Sequence, residues 1–354
     1  MRKIIGQFQL MRDRLRRKIG MFFFDRRSSV PFDSAVTHVV VVRSDAKLGD
    51  SFISSYFYRE IKKIPGIKIT VVTTNELKSL YEDTFGVERV LTSKKRASYS
   101  ELKMLAKKIG EVDLLIHLTE RLKLKDMYLI GKLQPKNVAS LDDGVNYVNV
   151  KMKGRTKELP FNKKYRYILE LLGVKDIDDS YIIPDSIISC KFDRKGYVLI
   201  NPYGSNKNKT ISKNKLVELL LFLSKKYKDE NFLILSSPTT KETASDVADI
   251  LSRDNVSACT NVESIYDAIE VVKQSKLVVS VDTSIVHIAD GLNKKLVAIY
   301  PKYKENYFNE WLPRDLDRIS LVYSPSETMD PNMNNFINDN IKEEIDRLLE
   351  LERV

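Results

Sequence analysis

Three short stretches of the chain hold the residue types that proton transfer and anion binding require. The first is Arg43-Ser44-Asp45-Ala46-Lys47-Leu48-Gly49-Asp50, in which Gly49 and Lys47 precede an acid, Asp50, at the opening of a helix. An ionised aspartate so placed can take a proton from a hydroxyl, or simply complement the helix dipole. The second is Asn201-Pro202-Tyr203-Gly204-Ser205-Asn206-Lys207-Asn208-Lys209-Thr210. It offers a close backbone approach at Gly204, a hydroxyl at Ser205 and a cation at Lys209, which suits a diphosphate but equally suits a solvated loop. The third runs Val281-Asp282-Thr283-Ser284-Ile285-Val286-His287-Ile288-Ala289. Asp282 is the expected N-cap, Thr283 and Ser284 add hydroxyls in the first turn, and His287 follows one turn later on the same face. A helix start of this kind attracts phosphate through unpaired N–H groups and its dipole. An ordinary capped helix with a packed histidine is the alternative.

These stretches need strands to carry them. Thr37–Arg43 is a β-branched run without alternation, as expected of a strand buried on both faces of a parallel sheet. Helix Leu48–Ile64, strand Lys68–Thr73, a helix from Asn75, strand Val87–Leu91, helix Tyr99–Ile109 and strand Val112–Leu118 continue a βαβ series. The rhythm breaks over residues 141–195, which hold several Gly and Pro and a helix near Lys163–Leu172, and the boundary between domains is placed near Asp176–Arg194. A second series follows: strands Gly196–Asn201, Asn231–Ser236, Leu277–Val281 and Leu296–Tyr300, with helices Ser212–Tyr227, Thr240–Ser252, Glu263–Lys273 and Thr283–Leu292. The expected organisation is a basic arm over residues 1–30, a Rossmann-like domain over 36–180, a second over 190–330, and a C-terminal helix over 335–354. Two doubly wound domains of this sort hold ligands at the C-terminal ends of their strands, in a cleft between them.

Composition narrows the function. At 354 residues, 43% hydrophobic and 30% charged, the chain is long enough for two ordinary cores. Its two cysteines, Cys190 and Cys259, fit no metal spacing and read as buried thiols. No apolar run reaches the roughly 18 residues of a membrane span, and no secretory signal is apparent, so a cytoplasmic location is expected. The net charge of +11 is concentrated at the start: residues 1–27 carry nine Lys or Arg against two Asp. Between them Ile4, Ile5, Phe8, Met11, Leu15, Ile19, Phe22 and Phe23 recur at steps of three and four. One apolar stripe on a basic helix suits an anionic membrane surface; packing against the domain, or a nucleic-acid arm, are the alternatives. Nothing else in the chain suggests nucleic acid.

Taken together, the Leu-Gly-Asp turn, the Gly-Ser…Lys loop and the Val-Asp-Thr-Ser-x-x-x-His-x-Ala junction resemble glycosyltransferase family 9, the heptosyltransferases of lipopolysaccharide core assembly, over roughly residues 36–325. The resemblance implies a GT-B fold, two Rossmann-like domains facing a central cleft, and a metal-independent, cofactor-free inverting transfer from an ADP-heptose-type donor. It implies Asp50 as catalytic base, with Gly49 and Lys47 on the acceptor side. Lys209 matches the lysine that neutralises the donor phosphates, Ser205 the preceding hydroxyl, and Asp282, Thr283, Ser284 and His287 the donor motif. The family's Trp-Pro after the lysine is replaced by Ile211-Ser212, which leaves Lys207 as an alternative register. Its acidic donor contact falls on Glu242 as the nearest acid. The implied acceptor is a lipid-anchored oligosaccharide, which would place the enzyme at the inner face of the cytoplasmic membrane, its arm on the anionic surface. A UDP-sugar transferase or epimerase on the same fold, and a non-catalytic nucleotide-sugar-binding protein, are the rival readings. Asp176-Ile177-Asp178 and Asp142-Asp143-Gly144 read as turns.

Overall fold

The computed structural model describes residues 2–25, 30–45, 47–185, 196–302, 310–314, 316–326 and 332–350. Arg26, Arg27 and Cys190 of the sequence reading lie outside these described residues; Cys259 is buried. The chain divides into two compact units, Met1–Asp179 and Ser180–Val354.

In the first unit a long helix, α1 (Arg2–Phe24), precedes β1 (His38–Arg43), α2 (Leu48–Ile53), α3 (Ser55–Glu60), β2 (Lys68–Thr73), β3 (Arg89–Thr92), α4 (Tyr99–Ile109), β4 (Leu114–His117), α5 (Leu124–Leu133), β5 (Asn137–Ser140), β6 (Val150–Lys151) and α6 (Phe161–Leu171). The sheet is wholly parallel, in the order β3-β2-β1-β4-β5-β6. Val39–Val42 and Leu114–Ile116 are buried on both faces, which is why these runs lack alternation. Starting in the middle and winding outward to each side puts a switch point between β1 and β4, whose C-terminal ends share one rim of the sheet.

The second unit repeats the plan with β7 (Val198–Asn201), α7 (Lys213–Lys226), β8 (Phe232–Leu235), α8 (Lys241–Leu251), β9 (Val256–Cys259), α9 (Ile265–Gln274), β10 (Leu277–Val281), α10 (Ser284–Gly291), β11 (Lys295–Lys302), β12 (Ile319–Pro325) and α11 (Asn338–Glu350). Its order, β12-β11-β10-β7-β8-β9, places the switch point between β7 and β10. The apolar side chains of α11, Ile341, Ile345 and Leu348, join the same core as Val279, Val297 and Val322. The two sheets form the pair of Rossmann-like α/β units of a GT-B fold.

Local structure departs from the sequence reading in instructive places. The helix expected over Leu48–Ile64 is broken into α2, α3 and a 3₁₀ turn, Ile61–Lys63. Ser51, Ser54 and Ser55 turn their hydroxyls back onto the carbonyls of Lys47, Asp50 and Phe52 at 2.7–3.0 Å, which competes with regular helix bonding. The helix expected from Asn75 is a 3₁₀ turn at Asn75–Leu77 followed by a π-helical turn at Leu80–Thr84. The reading also lacked α5, β5, β6, β9 and β12. Four of these strands or helices follow short or mixed sequence, and β12 is a half-exposed strand at the sheet edge.

Candidate active site

On the first unit, Asp50 lies in the first turn of α2, directly past the C-terminal end of β1, and is 9% exposed. The last residue of β1, Arg43, is also buried and reaches it: Nη2 stands 3.2 Å from Asp50 Oδ2 and 3.6 Å from Asp45 Oδ1. Lys47 Nζ, well exposed, is 3.8 Å from the same Asp50 oxygen. Burial pushes the Asp50 carboxyl above its ordinary range, while Arg43 and Lys47 pull it back. The carboxyl is thus poorly hydrated and faces two cations, and on balance its affinity for a proton is increased. The Arg43 guanidinium itself runs beside the buried Tyr81 and Tyr165. Its Nε, and Thr73 Oγ1 at the end of the neighbouring β2, have no hydrogen-bond partner among the described residues. The rim around Asp50 therefore holds buried donors able to meet a polar ligand. In the sequence alone Arg43 has no evident part; its one signal is a charged residue closing an otherwise apolar strand.

On the second unit, the loop after β7 and the junction after β10 meet at the switch point. Lys209 Nζ bonds Asp282 Oδ2 at 2.7 Å, so the lysine of one stretch and the aspartate of the other are joined. Lys207 is exposed, and the register that brings a lysine to this junction is that of Lys209. Asn206 caps the 3₁₀ turn Lys207–Lys209, accepting from Asn208 N and Lys209 N. Gly204 is needed for a reason internal to the loop: a Cβ there would stand 2.1 Å from Lys209 O and 2.6 Å from Lys209 C. The close backbone approach expected at Gly204 is thus made by Lys209's own main chain. Ser205 is exposed on the outer turn.

The N-cap of α10 is Thr283, not Asp282. Its extended backbone lets Oγ1 accept from Ile285 N at 3.3 Å, while the Asp282 carboxylate is drawn off to Lys209. Asn201, the last residue of β7, donates to both Ser280 Oγ (2.9 Å) and Thr283 Oγ1 (3.0 Å), tying the two strand ends together. Ser284 opens the helix, and His287 is buried one turn further in. Burial pushes the imidazole down to about 4, so it is neutral near pH 7, and its Nδ1 has no partner among the described residues. Glu242 stands apart from this cluster, exposed in the first turn of α8, beyond the end of β8. A lysine held by an aspartate, a hydroxyl-capped helix start and a buried neutral imidazole thus meet at the switch point, where a helix start can receive an anion.

Residues 176–330 match the model of the family described as glycosyltransferase family 9 (heptosyltransferase). No curated protein is detectably similar in sequence. Among solved structures, a family 9 glycosyl transferase from Veillonella parvula is similar at a TM-score of 0.69 and 15% identity, over 91% of this chain and 99% of that one. The ADP-heptose LPS heptosyltransferase II of E. coli is similar at 0.63 and 15%, over 90% and 100%. The E. coli heptosyltransferase WaaC with ADP is similar at 0.61 and 16%, over 88% and 98%. At such identities the likeness to these structures is one of fold.

Proposed function

We propose that this chain, whose residues 176–330 match the model of glycosyltransferase family 9, transfers a heptose or related sugar from an ADP-linked donor to a lipid-linked oligosaccharide of lipopolysaccharide type. The observation that carries this reading is the Lys209–Asp282 pair beside the Thr283-capped start of α10, at a Rossmann switch point. That is where a nucleoside diphosphate finds a cation, unpaired N–H groups and a favourable dipole together. The presence of ADP with the similar E. coli WaaC supports an adenine nucleotide.

In the proposed reaction the acceptor oxygen attacks the anomeric carbon from the face opposite the diphosphate. A new C–O bond forms, the bond from that carbon to the diphosphate oxygen breaks, and the acceptor proton passes to Asp50. Inversion follows from attack at the opposite face. A positioned carboxylate contributes about 10²–10⁴-fold to such a step. Lys209 and the α10 start stabilise the charge that grows on the leaving diphosphate, with no metal called upon. Ser284 and His287 line the donor, Glu242 reaches its nucleoside end, and Gly49 and Lys47 flank the acceptor hydroxyl. A lipid-linked acceptor requires the enzyme to work at a membrane, and α1 is the surface we assign to that contact.

Thermal shift with ADP, UDP and GDP tests the donor assignment. ADP should raise the melting temperature of the second unit most; preferential stabilisation by UDP would replace the ADP-sugar with a UDP-sugar.

A further inference from the structure

Helix α1 has 23 residues and a length of about 34 Å at 1.5 Å per residue, and the contacts described between it and the rest of the unit fall in its last two turns. Among the described side chains these contacts begin at Arg17: Nη1 donates to Leu122 O at 3.0 Å, and the guanidinium forks onto Asp142, with Nη2 to Oδ1 at 2.9 Å. The same Asp142 accepts from Leu122 N at 2.8 Å. Gly20 then lies so close to α5 that a Cβ would meet Met127 Sδ at 2.6 Å, and Phe24 packs on Gly131 and edge-on against Tyr128. Residues 17, 20 and 24 thus meet 122, 127 and 131 in rising order, so α1 runs parallel to α5. Because α5 starts just beyond the C-terminal end of β4, the part of α1 before Arg17 projects past the rim that also carries Asp50. Met11–Arg16 are accordingly exposed all round the helix.

The projecting part is not a solvated helix in composition. Phe8, Met11 and Leu15 are 69%, 70% and 59% exposed, and Phe22 and Phe23 continue their face at 67% and 58%. Arg12, Arg14, Arg16 and Lys18 flank that face and are exposed too. Large apolar side chains held in water beside a row of cations suit the headgroup boundary of an anionic bilayer, where both kinds of group find a partner.

We infer that the Arg17–Asp142 fork is an orientation latch. It fixes α1 so that the helix lies on an anionic leaflet ahead of the Asp50 rim, and holds the β4–α5 loop across the switch point from Asp50 against that leaflet. Helix and bilayer alone would give attachment; the latch gives a fixed presentation of the rim to a lipid-linked molecule beside the helix. This rests on the membrane contact proposed above, and the test separates the two.

The experiment uses the full chain in a Cys190→Ser/Cys259→Ala background, labelled through Arg121→Cys in the β4–α5 loop or through Glu88→Cys at the far edge of the sheet. Energy transfer is read to acceptor lipids in vesicles of phosphatidylcholine with phosphatidylglycerol, and in phosphatidylcholine alone. Expected are binding to the anionic vesicles only and much stronger transfer from position 121 than from 88. Arg17→Gln should weaken vesicle binding by no more than about fivefold, the ~1 kcal/mol of one basic residue, while the contrast between 121 and 88 collapses. Phe8→Ser/Leu15→Ser should abolish binding with the fork intact. If the wild type ignores anionic vesicles, the membrane contact and the latch both fall. If it binds but 121 and 88 transfer equally, or Arg17→Gln leaves their contrast unchanged, the latch alone is wrong.

Discussion

Replacing Arg43 by Met separates the electrostatics of the first unit from its packing. The guanidinium and the Asp50 carboxylate are 3.2 Å apart, with side-chain exposures of 6% and 13%. Two unit charges at that distance attract by about 5 kcal/mol at an effective dielectric of about 20, and desolvation of both ions offsets part of it. Deleting one partner leaves the other charge buried and alone, at a cost of about 3–5 kcal/mol. At roughly 2–4 °C per kcal/mol for a unit of this size, the melting transition should fall by about 6–20 °C. Burial already raises the Asp50 carboxyl, and Arg43 is the larger of the two cations holding it down. Without Arg43 the acid limb of the pH–rate profile should therefore move to higher pH, since Asp50, as the proposed base, must lose its proton to act. Arg43→Lys should restore part of both effects. Arg43→Met combined with Asp50→Leu should recover much of the stability without recovering activity, because both buried charges go together and the partners left behind, Asp45 and Lys47, reach solvent. A melting temperature within about 1 °C of wild type, together with an unmoved acid limb, would refute the reasoning.

On the second unit, Lys209→Ala should weaken ADP binding by roughly 10–100-fold, the loss of one charge-assisted contact of about 1.5–3 kcal/mol, whereas Lys207→Ala, on the exposed turn, should change it little; calorimetric titration distinguishes them. Gly204→Ala forces a methyl against the Lys209 carbonyl, so it should displace the loop and depress ADP affinity to a similar degree, while circular dichroism stays unchanged. His287, pushed down to about 4 by burial, takes up its proton in the unfolded chain first as pH falls from about 6.5. Stability is therefore intact above that pH and should decline by about 3 kcal/mol on the way to pH 4; denaturant melts of His287→Asn should lack this decline.

Much of the fold was legible because burial on both faces of a parallel sheet leaves runs such as Val39–Val42 and Leu277–Val281 without polar interruption. Short strands such as β5 (Asn137–Ser140), where polar ends outweigh two apolar residues, carry no such signal. The serines that break the helix after Asp50 were visible, but whether a serine turns to solvent or back onto a carbonyl is a tertiary decision. Lys209 and Asp282 stood out as types, yet their pairing across 73 positions needed the sheet order. The choice of Thr283 over Asp282 as cap followed from that pairing, since a carboxylate engaged by a lysine is no longer available to the helix. Arm and domain were legible as parts, but Asp142, read as a turn residue, gave no hint that it would receive Arg17 from 125 positions away.

The most direct measurement is release of ADP from an ADP-heptose donor in the presence of a lipooligosaccharide acceptor, comparing wild type with Asp50→Asn. The proposed chemistry gives acceptor-dependent turnover in the wild type and a loss of about 10²–10⁴-fold in kcat in the variant, with ADP affinity retained. Equal turnover by the two proteins would contradict the role of Asp50, and absence of transfer from every sugar nucleotide offered would contradict the proposed reaction itself.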